Sequence, residues 1–212
     1  MSCKTFPIFK LHPWHGIRIH ENNPEMVNAY IEMVPSDSCK YEMDKESGFL
    51  RLDRPNMFSA MVPCLYGFIP QTYCGDGIGD YAAEKSGKKK LKGDGDALDI
   101  CVLTEKVIPH GDFILQAIPI GGLRMIDGGE ADDKIIAVLK GDSMYGNWKS
   151  IEDAPQKIID RICHYFLTYK DLPKTGISEK KTVEITHVYS VEEAKHVISI
   201  SIADYNVLKN SK

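Results

Sequence analysis

The order of the secondary-structure patterns is the strongest constraint on this fold, because strand-like segments come first and amphipathic helices come last. The predicted strands are residues 27–34, 39–44, 49–53, 100–103, 113–120, 123–126, 135–139 and 182–189. A hairpin turn is predicted over 45–48, and helices are predicted from Ser150 to Tyr169 and after a capping box at Ser190. Strands followed by helices, without alternating βαβ units, predict a mainly β, α+β domain.

The composition indicates an ordinary globular protein with one domain. The chain has 212 residues, of which 43% are hydrophobic and 26% are charged. The single domain is predicted to span residues 1–212, with 1–25 as an N-terminal extension and 74–93 as an inserted, mobile surface loop. A net charge of −4 argues against nucleic acid or an anionic membrane surface as partner. No apolar stretch approaches the roughly 20 residues that a membrane span needs.

The cysteines and the start of the chain predict a cytoplasmic protein. None of the six cysteines forms a CxxC pair, which argues against a zinc knuckle or a thioredoxin-type site. The first residues lack the apolar segment of a secretory signal. Free thiols in a reducing compartment are therefore predicted.

Two acidic clusters carry the strongest chemical signal. Asp94, Asp96 and Asp99 lie within six residues, directly ahead of an apolar strand, and Asp127 and Asp132 belong to a second cluster. Carboxylates so close together repel one another unless cations lie between them. Oxygen ligands without His or Cys favour Mg²⁺, Mn²⁺ or Ca²⁺ over zinc. Either cluster alone is also compatible with a solvated acidic turn.

Two other readings of the first cluster fit poorly. An EF-hand loop would have a ligand where Leu98 stands. A phosphatase with an aspartate nucleophile would have an apolar strand before Asp94, where the polar segment 88–93 lies instead.

Basic and aromatic candidates are scattered through the chain. Lys40, Glu42 and Asp44 share one face of a predicted strand, because side chains two residues apart point the same way. The other candidates are Arg54, Tyr66, Lys134, Tyr169 and Lys170. Taken singly, each is more often a solvated lysine or a packed tyrosine than a functional group.

The ordered set of these elements closely resembles the family I (soluble) inorganic pyrophosphatases over about residues 26–172. The run Asp94 to Asp99 fits the D-x-D-x-x-D signature of that family. The supporting segments, in the family's order, are residues 40–48, 53–54, 63–67, 127–134 and 169–172. Two departures are Gly128, where some bacterial members have Glu and where Glu130 lies nearby, and the longer segment 74–93.

The resemblance implies a five-stranded, OB-like closed β-barrel with flanking C-terminal helices. It implies metal ligation by Asp94, Asp99, Asp127 and Asp132, with Asp96 as the general base. It implies phosphate contacts by Lys40, Arg54, Lys134, Tyr169 and Lys170. Tyr66 matches the tyrosine near the metals and the base, and Glu32 and Glu42 match acidic positions of the cavity.

The function implied is hydrolysis of inorganic pyrophosphate by in-line attack of a metal-bound hydroxide, without a covalent enzyme intermediate. Several Mg²⁺ ions per site are expected, with Mn²⁺ as the alternative. A homo-oligomer is expected, as a hexamer in preference to a dimer. The competing hypotheses are another Mg²⁺-dependent phosphohydrolase, although GxxxxGK[ST] and GxGxxG are both absent, and a non-catalytic module that binds divalent cations.

Overall fold

A computed structural model describes residues 10–20, 25–170 and 183–211. The strands in these ranges are β1 Val27–Met33, β2 Cys39–Met43, β3 Leu50–Pro55, β4 Leu65–Phe68, β5 Lys92–Gly93, β6 Asp99–Leu103, β7 Phe113–Asp127, β8 Glu130–Ala131, β9 Lys134–Leu139 and β10 Val183–Tyr189. The α-helices are α1 Asp76–Ser86, α2 Gln156–Thr168 and α3 Val191–Asn210, and the helix predicted from Ser150 is divided into a short 3₁₀ helix, Ile151–Asp153, and α2. The prediction of a mainly β protein with C-terminal helices is confirmed.

Five strands pair in a ring, and this ring positions the site. β1 pairs with β4, β4 with β6, β6 with β9, β9 with β7, and β7 again with β1. The β6–β9 pair is parallel and the other four pairs are antiparallel. β10 joins the same sheet through β7, while β2 and β3 form a separate hairpin.

The strands of the ring are buried on both faces, which explains their continuous apolar sequences. On β6, Ile100 and Val102 belong to one buried cluster, and Cys101 and Leu103 belong to another. The second cluster also contains the apolar face of α2. α3 begins where Ser190 Oγ accepts a hydrogen bond from the Glu193 N–H at 3.4 Å, as the capping box predicted.

Two strand predictions needed correction. The predicted strands 113–120 and 123–126 are one 15-residue strand, β7, which stays continuous through a register shift between Pro119 and Gly121. A shift of this kind is a β-bulge, which bends a strand without ending it. β4, β5 and β8 were not predicted, because Leu65–Phe68 contains Gly67, which weakens a strand pattern, and the other two strands have only two residues each.

The prediction of a mobile surface loop over 74–93 was wrong, because this segment contains α1 and β5. Ile78, Ala82 and Ala83 are buried there. Asp204 on α3 accepts hydrogen bonds from the Gly75 and Ile78 N–H groups, each at 3.0 Å. The carboxylate therefore satisfies the free N–H groups at the start of α1, a role normally filled by a neighbouring residue.

The described part of the N-terminal extension is packed into the fold. Trp14 is buried, and its indole N–H donates to the Thr72 carbonyl at 2.7 Å. The described cysteines are free thiols, as predicted, and are Cys39, Cys64, Cys74, Cys101 and Cys163. Cys3 lies outside the described residues. No helix in the described ranges has the length and apolar character needed to cross a bilayer.

Candidate active site

One pocket beside the ring brings together twelve of the thirteen predicted site residues. They are Glu32, Lys40, Glu42, Tyr66, Asp94, Asp96, Asp99, Asp127, Asp132, Lys134, Tyr169 and Lys170. Arg54 is the exception, since it does not line this pocket and its guanidinium contacts the neighbouring Asp53 at 2.5 Å. Segments far apart in sequence therefore converge, as the resemblance implied.

The turn that carries the first two carboxylates is fixed by backbone hydrogen bonds. Gly95 has a φ of 76°, a conformation that glycine adopts without the steric cost borne by other residues. The Gly95 N–H donates to the Cys74 carbonyl, and the Cys74 N–H donates to the Asp96 carbonyl. Asp94 Oδ1 accepts the Asp96 N–H at 3.0 Å. Asp94 and Asp96 are thus held at the pocket by the segment that leads into α1.

A buried lysine lies at the centre of the pocket. Asp99 and Lys134 are direct neighbours across the parallel β6–β9 pair. Lys134 Nζ contacts Asp99 Oδ2 at 2.5 Å and also contacts Asp132 Oδ1. Tyr66 donates its hydroxyl hydrogen to Asp99 Oδ2 at 2.5 Å. Two carboxylates, one ammonium and one phenol therefore share a small buried volume.

Burial and mutual charge shift the pKa values of these groups in opposite directions. Burial, reinforced by the charge of Asp132, raises the pKa of Asp94 to about 9. Burial also raises the pKa of Asp99. Burial opposes ionisation of Asp132 too, but the Lys134 ammonium outweighs it and lowers that pKa. For Lys134, the surrounding carboxylates overcome the effect of burial and hold the pKa well above its usual value.

Glu32 reaches the pocket from a strand irregularity. The β1–β4 register shifts between Ile31 and Met33, so Glu32 lies at a bulge. Its Oε1 accepts the Met43 N–H at 2.7 Å. Burial raises the pKa of Glu32 to about 8, and the charges of Asp99 and Glu42 add to the effect.

Further cations line the rim, each beside a carboxylate. Lys40 Nζ lies 3.3 Å from Glu42 Oε2 and 3.5 Å from Asp53 Oδ2. Lys170 contacts Asp127. The predicted shared face of β2 is therefore seen in Lys40 and Glu42, which both line the pocket.

Asp44 has a different position from the other members of the predicted face. Its carboxylate accepts the Ser47 N–H at 2.9 Å in the hairpin turn.

Three titratable lining residues were absent from the predicted site: Lys45, Glu130 and Tyr165. Lys45 Nζ lies 2.8 Å from Asp96 Oδ2. Glu130 follows Gly128, the position of the departure from some bacterial members. A single lysine in a turn carries no periodic signal, so only the three-dimensional arrangement reveals Lys45.

The donor set fits hard divalent cations. Among the described residues, no three carboxylate, imidazole or thiolate groups are already arranged around one metal position. The lining nevertheless contains eight carboxylates and only four lysines, and Lys134 lies between two of the carboxylates. Burial, reinforced by the charges of neighbouring carboxylates, raises the pKa values of Asp94 and Glu32. Carboxylate oxygens without His or Cys suit Mg²⁺ and similar ions.

Comparisons with known proteins agree with the geometry. Residues 29–206 match the family described as inorganic pyrophosphatase. An inorganic pyrophosphatase from Chlamydia muridarum is 52% identical over 200 residues, covering 94% of this chain and 96% of the relative. A soluble inorganic pyrophosphatase from Oryza sativa subsp. indica is 34% identical, covering 92% and 79%. The crystal structure of an inorganic pyrophosphatase from Neisseria gonorrhoeae matches with a TM-score of 0.70 at 32% identity, covering 92% and 96%.

Proposed function

Since the chain belongs to the inorganic pyrophosphatase family and is a hydrolase of inorganic pyrophosphate, we propose that it cleaves this substrate by direct attack of water on phosphorus. No residue of the chain forms a covalent intermediate. The observation that carries the proposal is the convergence of carboxylates and lysines from distant segments in one pocket.

Asp94, Asp99 and Asp132 would hold divalent cations, with Asp127 joining when substrate enters. Mg²⁺ is the proposed ion, and Mn²⁺ is the alternative. Bound cations of this kind neutralise phosphate oxygens and lower the pKa of water toward about 7. The chain supplies the oxygen ligands and an ammonium, Lys134, that can turn from the carboxylates to a phosphate oxygen.

The cationic and phenolic groups would bind the substrate. Lys134 and Lys170 are placed to neutralise phosphoryl oxygens as charge develops, and Tyr169 can donate a hydrogen bond. Lys40 and Arg54 extend this set toward the hairpin, where both contact Asp53. Tyr66 orients Asp99 through the 2.5 Å hydrogen bond.

Asp96 is the proposed general base. Its backbone N–H is fixed by Asp94, and its carboxylate faces the pocket opposite Lys45. We expect Asp96→Asn to lower kcat about 10²- to 10⁴-fold with Mg²⁺, because an amide cannot accept the proton of the attacking water.

The measurement is phosphate release from pyrophosphate, with ATP as the comparison substrate. Asp76→Asn, an exposed substitution in the first turn of α1, is the matched control and should keep wild-type turnover. Near-normal turnover of Asp96→Asn would remove Asp96 from the role of base.

We also propose three further features of the enzyme: its barrel, its compartment and its oligomeric state. The five-strand ring is taken as the OB-like closed barrel of the family. The free thiols support action in the cytoplasm. The chain is proposed to form a homo-oligomer, a hexamer in preference to a dimer, and light scattering coupled to size-exclusion chromatography measures this directly.

A further inference from the structure

Lys45 is a pocket-lining cation that the proposed reaction does not yet use. It lies in the turn between β2 and β3, and its Nζ is 2.8 Å from Asp96 Oδ2. Its side chain is 49% exposed, so it faces the open side of the pocket. A phosphate that enters from solvent would therefore meet this ammonium early.

The three other lysines of the pocket lining share one property with Lys45. Lys40 is beside Glu42, Lys134 is beside Asp99, and Lys170 is beside Asp127. Each ammonium neutralises a carboxylate of the acid-rich pocket. An entering polyanion offers each ammonium further oxygen partners, and Asp99 and Asp127 would then be free to hold divalent cations.

The hairpin turn that carries Lys45 is held in place rather than free. The Gly48 N–H donates to the Asp44 carbonyl at 2.8 Å. His12 Nε2 is 3.2 Å from the Lys45 carbonyl oxygen. The ammonium lies 6.0 Å from the centre of the Trp14 ring, within reach of a cation–π interaction. The N-terminal segment thus supports the turn at the mouth of the pocket.

We propose that Lys45 is a further substrate-binding residue, whose ammonium turns from Asp96 to a terminal oxygen of pyrophosphate when the substrate enters. The assignment rests on the proposed function. Partial burial opposes the charge on Lys45, but Asp96, Glu42 and Asp94 outweigh it and raise the pKa. The side chain is therefore a permanent cation at neutral pH.

The test compares Lys45→Met with Lys45→Arg. One measurement is calorimetric binding of imidodiphosphate, a diphosphate analogue that resists hydrolysis, at saturating Mg²⁺. The second is Mg²⁺ binding without any phosphate ligand. Lys106→Met is the control, because Lys106 forms an exposed ion pair with its neighbour Glu105 and does not line the pocket.

We expect Lys45→Met to weaken imidodiphosphate binding about tenfold or more, the usual effect of losing a charged hydrogen bond. Mg²⁺ binding alone should stay equal or become tighter, because a competing cation has gone. Lys45→Arg should restore most of the analogue affinity, and Lys106→Met should leave both measurements unchanged.

Two results would overturn the assignment. One is unchanged analogue affinity in Lys45→Met. The other is equal weakening of Mg²⁺ and analogue binding with a lowered melting temperature, which would mark a structural role. Phosphate release by the unsubstituted chain is measured in parallel. A failure of the proposed hydrolysis is thereby distinguished from a failure of the proposed substrate-binding role of Lys45.

Discussion

Two neighbouring aspartates, Asp132 and Asp133, belong to two different buried ionic clusters. Asp132 faces the pocket with Lys134, because side chains two residues apart in an extended chain point the same way. Asp133 points to the opposite side, where its Oδ2 lies 3.3 Å from Arg124 Nε. Consecutive residues thus place one carboxylate in the candidate active site and one in the interior of the fold.

The second group of residues surrounds the fully buried guanidinium of Arg124, and we name it the core ion cluster. It consists of Arg124, Asp133, Glu193, Tyr81 and Tyr189. Arg124 Nη2 lies 2.9 Å from Glu193 Oε1, and the guanidinium carbon lies 4.8 Å and 5.3 Å from the two tyrosine ring centres. The Tyr189 hydroxyl donates to Asp133 at 3.2 Å. The cluster thereby connects β7, β10, α1 and α3.

The difference between the two clusters lies in charge and access. The core ion cluster encloses its cation between rings, and Arg124 and the Asp133 side chain are fully buried. Even so, burial raises the pKa of Asp133 to about 7 against the charge of Arg124. The pocket instead keeps an excess of carboxylates around an open space. An excess of negative charge that solvent can reach favours the binding of cations. The buried charges of the core ion cluster only connect elements of the fold.

The largest effect should come from exchanging the two aspartates for asparagine one at a time. Asp132→Asn should lower kcat about 10²- to 10³-fold, because a cation ligand and a partner of Lys134 are lost. Asp133→Asn should keep kcat within about threefold but lower the free energy of unfolding by about 3 kcal/mol, since Arg124 loses a buried partner.

Phosphate release and urea unfolding on both variants provide the measurements. Mg²⁺ should still raise the melting temperature of Asp133→Asn, because binding to the folded state stabilises it. If Asp133→Asn lost as much turnover as Asp132→Asn, the two clusters would be one functional unit and the distinction would fail.

A stability cycle is the next test. Arg124→Met should lower the free energy of unfolding by about 3–5 kcal/mol, because it strands Asp133 among apolar groups. The double variant Arg124→Met with Asp133→Leu should recover most of this loss. Arg51→Met, which breaks only an exposed pair with Asp44 at 3.6 Å, should cost less than about 1 kcal/mol. A cost for Arg124→Met as small as that of Arg51→Met would contradict the structural role of the cluster.

The sequence predicted which residues line the pocket better than it predicted the segments that hold them in place. The D-x-D-x-x-D run and the order of the basic residues sufficed to name Asp94, Asp99 and Lys134, because short spacing and family order carry that information. The position of Lys45 beside Asp96 depends on how the hairpin folds over the pocket, which no local pattern encodes. The same holds for Asp204, which caps α1 from α3, and that long-range contact explains why a helix was missed in a segment rich in Gly, Asp and Lys.

The last prediction concerns Glu32, a buried acid of the pocket lining. This residue is buried like Asp133. Burial, reinforced by the charges of Asp99 and Glu42, raises its pKa to about 8 against the hydrogen bond from the Met43 N–H and the charge of Lys40. The folded state therefore binds a proton that the unfolded chain releases near pH 4.5, so the ionised group destabilises the fold as pH rises.

In EDTA, the stability of the unsubstituted chain relative to Glu32→Gln should fall between about pH 4.5 and pH 8 and then level off. The change should be on the order of 5 kcal/mol. Urea unfolding of both proteins across this pH range gives the difference in their free energies of unfolding. The titration of carboxylates that both proteins share cancels in this difference. The glutamine carbonyl can still accept the Met43 N–H, so the substitution removes charge and keeps the hydrogen bond. If the difference in stability stayed constant with pH, Glu32 would have the same pKa in the folded and unfolded states. Burial in the pocket would then not raise the pKa of its acids as it does in the core ion cluster.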